Sequence, residues 1–142
     1  MNKLGKYFSL EELTVTHENL DNTPGTAALI NLKELVVNVL DPIREIISEP
    51  IYVNSGFRTI AVNNAVGGAR KPISQHTKGE AADIDCFDNT TLFFILRDNF
   101  QFDQLIWEKG NDQHPDWIHV SYKRKGNRNQ VLKYKNGEYI QL

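Results

Sequence analysis

Apolar residues recur every three or four positions over the first third of the chain and predict its longest helix. They are Leu29, Leu32, Val36, Leu40, Ile43 and Ile47. This spacing places them on one face of an amphipathic helix of roughly six turns. Asp41 and Pro42 interrupt the pattern, and because proline has no backbone N–H we expect a kink or a restart there.

Local signals predict three more helices. Ser9 and Glu12 have the Ser-x-x-Glu spacing of a capping box, which predicts a short helix at that point. Thr23 or Pro24 is placed to open the long helix. Residues 59–66 predict a brief helix that a glycine pair stops. Asp88-Asn89 predicts the cap of a helix that carries further apolar residues.

Short runs of β-branched and aromatic residues predict the strands. The runs cover residues 51–53, 81–86, 102–108 and 117–123, and a hairpin over 134–140 has Asn136-Gly137 at its centre. Residues 69–78 have a composition typical of a loop. Helices and strands are segregated along the chain rather than strictly alternating. We therefore expect an α+β fold with a small central antiparallel sheet and flanking helices.

Composition narrows the class of protein. The 142 residues suit one domain over 1–142, and 40% hydrophobic with 24% charged residues is ordinary for a soluble protein. A formal net charge of -2 argues against a nucleic-acid partner. The one cysteine excludes an internal disulfide framework and a cysteine-rich zinc site. The first residues have no apolar stretch typical of a signal peptide, so we expect synthesis in the cytoplasm without stable membrane association.

Two histidines and one aspartate form a candidate metal site. His76 and Asp83 lie in the segment Ser-Gln-His-Thr-Lys-Gly-Glu-Ala-Ala-Asp, and His119 lies in Trp-Ile-His-Val-Ser. Strand alternation places Trp117 and His119 on one face, with apolar residues on the other. Two imidazoles and one carboxylate leave a fourth zinc position open, as catalytic zinc sites do. Asp85 shares the predicted face of Asp83 and is a candidate to orient a ligand by a hydrogen bond.

With these motifs the chain resembles the zinc D-Ala-D-Ala peptidases, which share a fold with lysostaphin-type peptidases and the hedgehog signalling domain. The likeness extends from about Phe8 to Tyr122 and is closest to the small branch common in phages and prophages. The matching segments are Ser74-Gln75-His76, Gly79, Ala81, Asp83, Trp117-Ile118-His119, Ser55-Gly56-Phe57-Arg58, Asn63 and Val66-Gly67-Gly68.

The resemblance implies a role for individual positions. His76, Asp83 and His119 match the zinc ligands of that group. Arg58 matches the arginine that binds a substrate carboxylate, to which a guanidinium offers a bidentate fork of donors. Ser74 matches a residue near the substrate, and Trp117 is a further candidate for substrate binding.

The general base has two candidates at this stage. The resemblance favours Asp116, which lies three positions before the last histidine. Glu108 ends the strand over 104–108 and is the second candidate, either as the base or as a residue that orients it. In both cases a carboxylate would take a proton from the attacking water and hand it to the leaving amine.

We therefore expect a Zn²⁺-dependent metallopeptidase that cuts peptidoglycan stem peptides. We expect a monomer that acts on the cell wall, and the resemblance implies release by a phage as the setting. Two alternatives stay open, namely a D,D-dipeptidase or carboxypeptidase on small peptides, and a non-catalytic module that binds zinc or peptidoglycan. Whether an L,D or a D,D bond is cut is open as well.

Overall fold

Three helices precede the first strand of the described chain, and the other two lie between strands. In the computed structural model, which describes residues 2–142, α1 covers Leu10–Leu13, α2 Thr26–Leu35, α3 Asp41–Ile47, α4 Ile60–Ala65 and α5 Asn89–Asn99. The predicted capping box is confirmed. The Ser9 hydroxyl accepts a hydrogen bond from the Glu12 N–H at 3.2 Å, and the Glu12 carboxylate accepts one from the Ser9 N–H at 3.1 Å.

The long amphipathic helix restarts near the proline, as the sequence predicts. A π-helical turn, Val36–Leu40, separates α2 from α3, and the Asp41 N–H donates to the Val36 carbonyl five residues earlier. The proline has no N–H to continue the α-helical ladder, which explains why the irregular turn lies beside it. The predicted start was wrong by a few residues, because Gly25 is the N-cap and provides no capping side chain.

Within residues 2–142, six strands form one mixed sheet. They are β1 Tyr52–Ser55, β2 Ala81–Asp85, β3 Gln104–Glu108, β4 Trp117–Ser121, β5 Gln130–Lys135 and β6 Glu138–Gln141. Their order across the sheet is β1-β2-β4-β3-β5-β6. The predicted hairpin with Asn136-Gly137 is confirmed as β5–β6, and both turn residues have the positive φ that such a turn requires.

The prediction of an antiparallel sheet was wrong for one pair, since β5 runs parallel to β3. The reason is the path of the chain after β4. The N–H of Asn129 donates to the Phe102 carbonyl at 2.9 Å, and that of Gln130 donates to the Asp103 carbonyl at 3.0 Å. The loop therefore returns to the starting end of β3, and β5 leaves it in the same direction as β3.

One face of the sheet packs against the helices and forms the core. Ile84, Ile118 and Val120 are fully buried on this face, as is Leu105 of β3. They contact the apolar sides of α2, α3 and α5 in one cluster. His119, Asp83 and their same-face neighbours point away from this core. Among residues 2–142, no helix combines the length and the apolar character needed to cross a membrane.

Candidate metal centre and active site

The three predicted metal ligands lie together at the centre of the sheet. Asp83 on β2 is paired directly with His119 on β4, and His76 approaches from the preceding turn. The Nε2 atom of His76 and the Nδ1 atom of His119 lie 3.4 Å and 3.0 Å from the same oxygen, Asp83 Oδ1. One ligand atom of each residue lies within 4.8 Å of the others, so the group can surround one cation.

A short turn holds His76 in place. A 3₁₀-helix, Gln75–Lys78, carries the histidine, and the Ser74 hydroxyl accepts a hydrogen bond from the His76 N–H at 3.2 Å. The carbonyl of Gly56 lies 2.7 Å from His76 Nδ1. That ring nitrogen therefore donates to the carbonyl, and Nε2 is the ring nitrogen that faces Asp83.

Gly79 ends this turn in a conformation that other residues adopt at a cost. Its φ is +75°, and an added Cβ would collide with the backbone carbonyl of Ala28. Gly67 has the same φ of +75° but open space around it. A comparison of substitutions at the two glycines therefore separates the energetic cost of the positive φ from that of the close approach to Ala28.

We expect Gly79→Ala to lower the free energy of unfolding more than Gly67→Ala does. The shared φ costs about 1–2 kcal/mol in each variant, and the collision with Ala28 adds to that cost only in the first. Urea unfolding followed by circular dichroism measures both variants. An equal decrease of the free energy of unfolding in the two variants would show that the close approach to Ala28 does not affect stability.

Arg58 lies beside the second oxygen of the Asp83 carboxylate. Its Nη2 atom lies 3.5 Å from Asp83 Oδ2, while Nε donates to Ser55 Oγ at 3.0 Å and Nη1 donates to Asn63 Oδ1 at 3.1 Å. Burial raises the pKa of Asp83, but the His76 charge and the hydrogen bond from His119 outweigh it and hold that pKa well below its usual range. Asp83 is therefore ionised and ready to bind a cation.

Glu108 faces the same cleft from β3. Burial raises its pKa to about 7, and the charge of Asp83 pushes the same way, while His119, Lys109 and Arg58 oppose the rise. Its strand position pairs it directly with Trp117, whose ring also lines the cleft. A carboxylate with a pKa near neutrality can both accept and return a proton under physiological conditions.

The structure places two of the predicted residues, Asp116 and Asp85, in surroundings that differ from those expected. Asp116 is exposed and does not line the cleft, because it precedes Trp117 by one residue and strand alternation turns its side chain away from His119. Asp85 does not orient a ligand; its carboxylate accepts a hydrogen bond from Asn89 Nδ2 at 2.7 Å, at the start of α5.

The cleft extends well beyond the metal ligands and has a volume of about 980 Å³. Arg58, Ser74 and Trp117, the three predicted substrate-binding residues, line it. Sequence reasoning missed the Gly56 carbonyl, since any residue can offer one. It also missed Tyr139, which reaches the cleft from β6 because of the parallel β3–β5 pairing.

A His-Asp-His cluster with a carboxylate of near-neutral pKa beside it is a site typical of metallopeptidases. A family model described as Peptidase M15 matches residues 6–121, so the chain belongs to the Peptidase M15 family. Members are typically zinc-dependent, and this protein is a peptidase. No curated protein sequence matches the chain closely enough to count as a relative.

Proposed function

We propose that this protein is a zinc-dependent peptidase that hydrolyses peptide bonds in the stem peptides of peptidoglycan. The observation that carries the proposal is the position of Glu108, whose carboxylate shares a cleft with the His-Asp-His cluster and has a pKa of about 7. A site that only bound a cation would need no such group.

The donor set fits zinc. Two imidazole nitrogens and one carboxylate oxygen are ligands that Zn²⁺ accepts, and three protein ligands leave a position for substrate or water. His76, Asp83 and His119 would hold the ion, and the Gly56 carbonyl and Arg58 already fix the orientation of two of these ligands. When bound, zinc supplies a Lewis acid that polarises a carbonyl and lowers the pKa of water.

The side chains around the ligands then have distinct tasks. Glu108 takes the proton of the attacking water and returns it to the leaving nitrogen. Arg58 is mostly buried, with 15% of its side chain exposed, and it lines the cleft beside Asp83. Its guanidinium N–H groups that face the cleft bind a carboxylate on the carboxyl side of the scissile bond. Trp117 covers the neighbouring part of the cleft.

Two other functions remain as alternatives in this proposal. A D,D-dipeptidase or carboxypeptidase on small peptides would use the same base and the same Arg58. A non-catalytic zinc or peptidoglycan-binding module would not depend on Glu108 for its function. The proposal also includes a setting, the phage- or prophage-type branch of the family, with the protein reaching the cell wall after release; the sequence resemblance supports it.

The direct test is digestion of purified peptidoglycan by the zinc-loaded protein, followed by mass spectrometry of the soluble fragments. We expect new stem-peptide fragments whose termini identify the bond that is cut. Removal of the metal by a chelator should abolish them, and added zinc should restore them. An intact wall in the presence of stoichiometric zinc would contradict the proposal. It would favour either small peptides as the substrate or a non-catalytic binding module.

A further inference from the structure

The cleft face of the sheet carries three rows of side chains that continue past the metal ligands. The first row runs through directly paired residues of four strands, Trp117, Glu108, Tyr134 and Tyr139. The second runs from His119 through Ile106 to Leu132, and the third joins Gln104 to Gln130. Paired residues on adjacent strands point to the same side, so these rows form one continuous floor.

Four of the nine residues in these rows come from the β5–β6 hairpin, which lies beyond the residues matched by the family model. The hairpin is tied to β3 by parallel pairing along five residues, from Gln104↔Gln130 to Glu108↔Tyr134. Gln104 Nε2 also donates to Gln130 Oε1 at 2.7 Å. The centroids of the Tyr134 and Tyr139 rings lie 4.7 Å apart, so the Tyr139 ring packs against its neighbour on β5.

Tyr139 faces the active-site carboxylates. It lines the cleft although 60% of the residue is exposed. Partial burial raises the pKa of its phenol, and the negative charge of Glu108 adds to that rise. The exposed ring and hydroxyl are thus available to a molecule that lies in the cleft.

The position of the floor relative to Arg58 indicates which part of a substrate the floor contacts. Arg58 follows β1 at one side of the ligands, whereas β3, β5 and β6 lie on the other side. Strands are spaced by about 4.8 Å, so the distance from β4 to β6 is about 14 Å. An extended peptide covers about 3.4 Å per residue, so this part of the floor is long enough for about four residues.

We infer that β3 and the C-terminal hairpin form a binding site for an extended peptide on the side of the metal ligands opposite Arg58. The protein therefore acts on a chain that continues several residues to the amino side of the scissile bond, rather than on a free dipeptide. Tyr139 contacts this chain with its ring. Gln130 Nε2 donates one N–H to Gln141 Oε1 at 3.4 Å and offers its other N–H to a peptide carbonyl. The inference rests on the proposed function and deepens it.

Peptides of two lengths test this inference. Both are segments of a peptidoglycan stem peptide, and one is longer by three residues at its amino side. We expect kcat/KM of the zinc-loaded protein to be at least about tenfold higher for the longer peptide, and Tyr139→Ala and Gln130→Ala to reduce that ratio severalfold. Tyr52→Ala is the matched control, since this tyrosine is 63% exposed on the opposite edge strand and lies outside the cleft.

Binding provides a readout that does not require turnover. Calorimetric titration of Glu108→Gln with the two peptides should show tighter binding of the longer one, and the added Tyr139→Ala change should remove the difference. Hydrolysis without a preference for length would overturn this inference alone. Length-dependent binding without any hydrolysis by the native protein would overturn the proposed function alone. Circular dichroism and zinc content show whether Tyr139→Ala folds. If it does not fold, the effect of Gln130→Ala on the length preference tests the inference.

Discussion

Glu108→Gln should lower kcat on peptidoglycan fragments by about 10²–10⁴-fold while zinc stays bound. Glutamine keeps the size of the side chain but cannot accept the proton of the attacking water. The loss should appear in kcat, since the amide still fills its place beside Trp117 and disturbs binding less. Steady-state kinetics together with zinc content by atomic absorption measures both quantities.

Asp116→Asn is the control for this change. Its carboxylate is exposed and lies outside the cleft, so kcat should stay within about twofold of the native value. The reverse result, in which Asp116→Asn loses activity and Glu108→Gln keeps it, would return the role of base to Asp116 and contradict the assignment made from the geometry.

The Glu108 carboxylate determines the acid side of the pH profile of activity. Burial raises the pKa of Glu108 to about 7, so the protonated form, which cannot act as a base, becomes significant as the pH falls toward and below that value. Activity should therefore rise with pH through this region. Bound zinc favours the ionised form and moves the midpoint lower. Glu108→Gln should lose this limb of the profile, whereas Asp116→Asn should keep it.

His119→Ala should abolish stoichiometric zinc binding and, with it, hydrolysis. The change removes one of three ligands and also the hydrogen bond that His119 makes to Asp83 Oδ1 at 3.0 Å. Loss of a residue that only supports a ligand costs about 10–100-fold in metal affinity, so loss of a ligand should exceed that range. Calorimetric titration with zinc gives the affinity directly.

Thermal unfolding provides a second measurement for the same variant. A ligand at about a thousandfold excess over its Kd stabilises the folded state by about 4 kcal/mol, so zinc should raise the Tm of the native protein clearly. His119→Ala should lack this rise. His114→Ala is the control, because that histidine is exposed and contacts Thr90 through Nδ1 at 2.7 Å, away from the ligands. Retained zinc in His119→Ala would mean that the metal binds elsewhere.

Local signals in the sequence were sufficient to predict most of the elements and to select three candidate metal ligands that the structure brings together. The capping box at Ser9 and the Asn136-Gly137 turn act over a few residues, so their chemistry can be recognised without knowledge of the fold. His76, Asp83 and His119 were found because two imidazoles and a carboxylate in these motifs are uncommon. The alternation of β4 correctly separated His119 from Ile118 and Val120.

The tertiary structure alone decided how the cleft is built and which carboxylates line it. Asp116 is closer to His119 in sequence, but strand alternation turns it outward, and Glu108 reaches the cleft from the neighbouring strand. The raised pKa of Glu108 depends on burial, which no local pattern reveals. The place of Tyr139 follows from the parallel pairing of β5 with β3. Such long-range pairings depend on the packing of the whole chain, and a residue's neighbours in sequence carry little information about them.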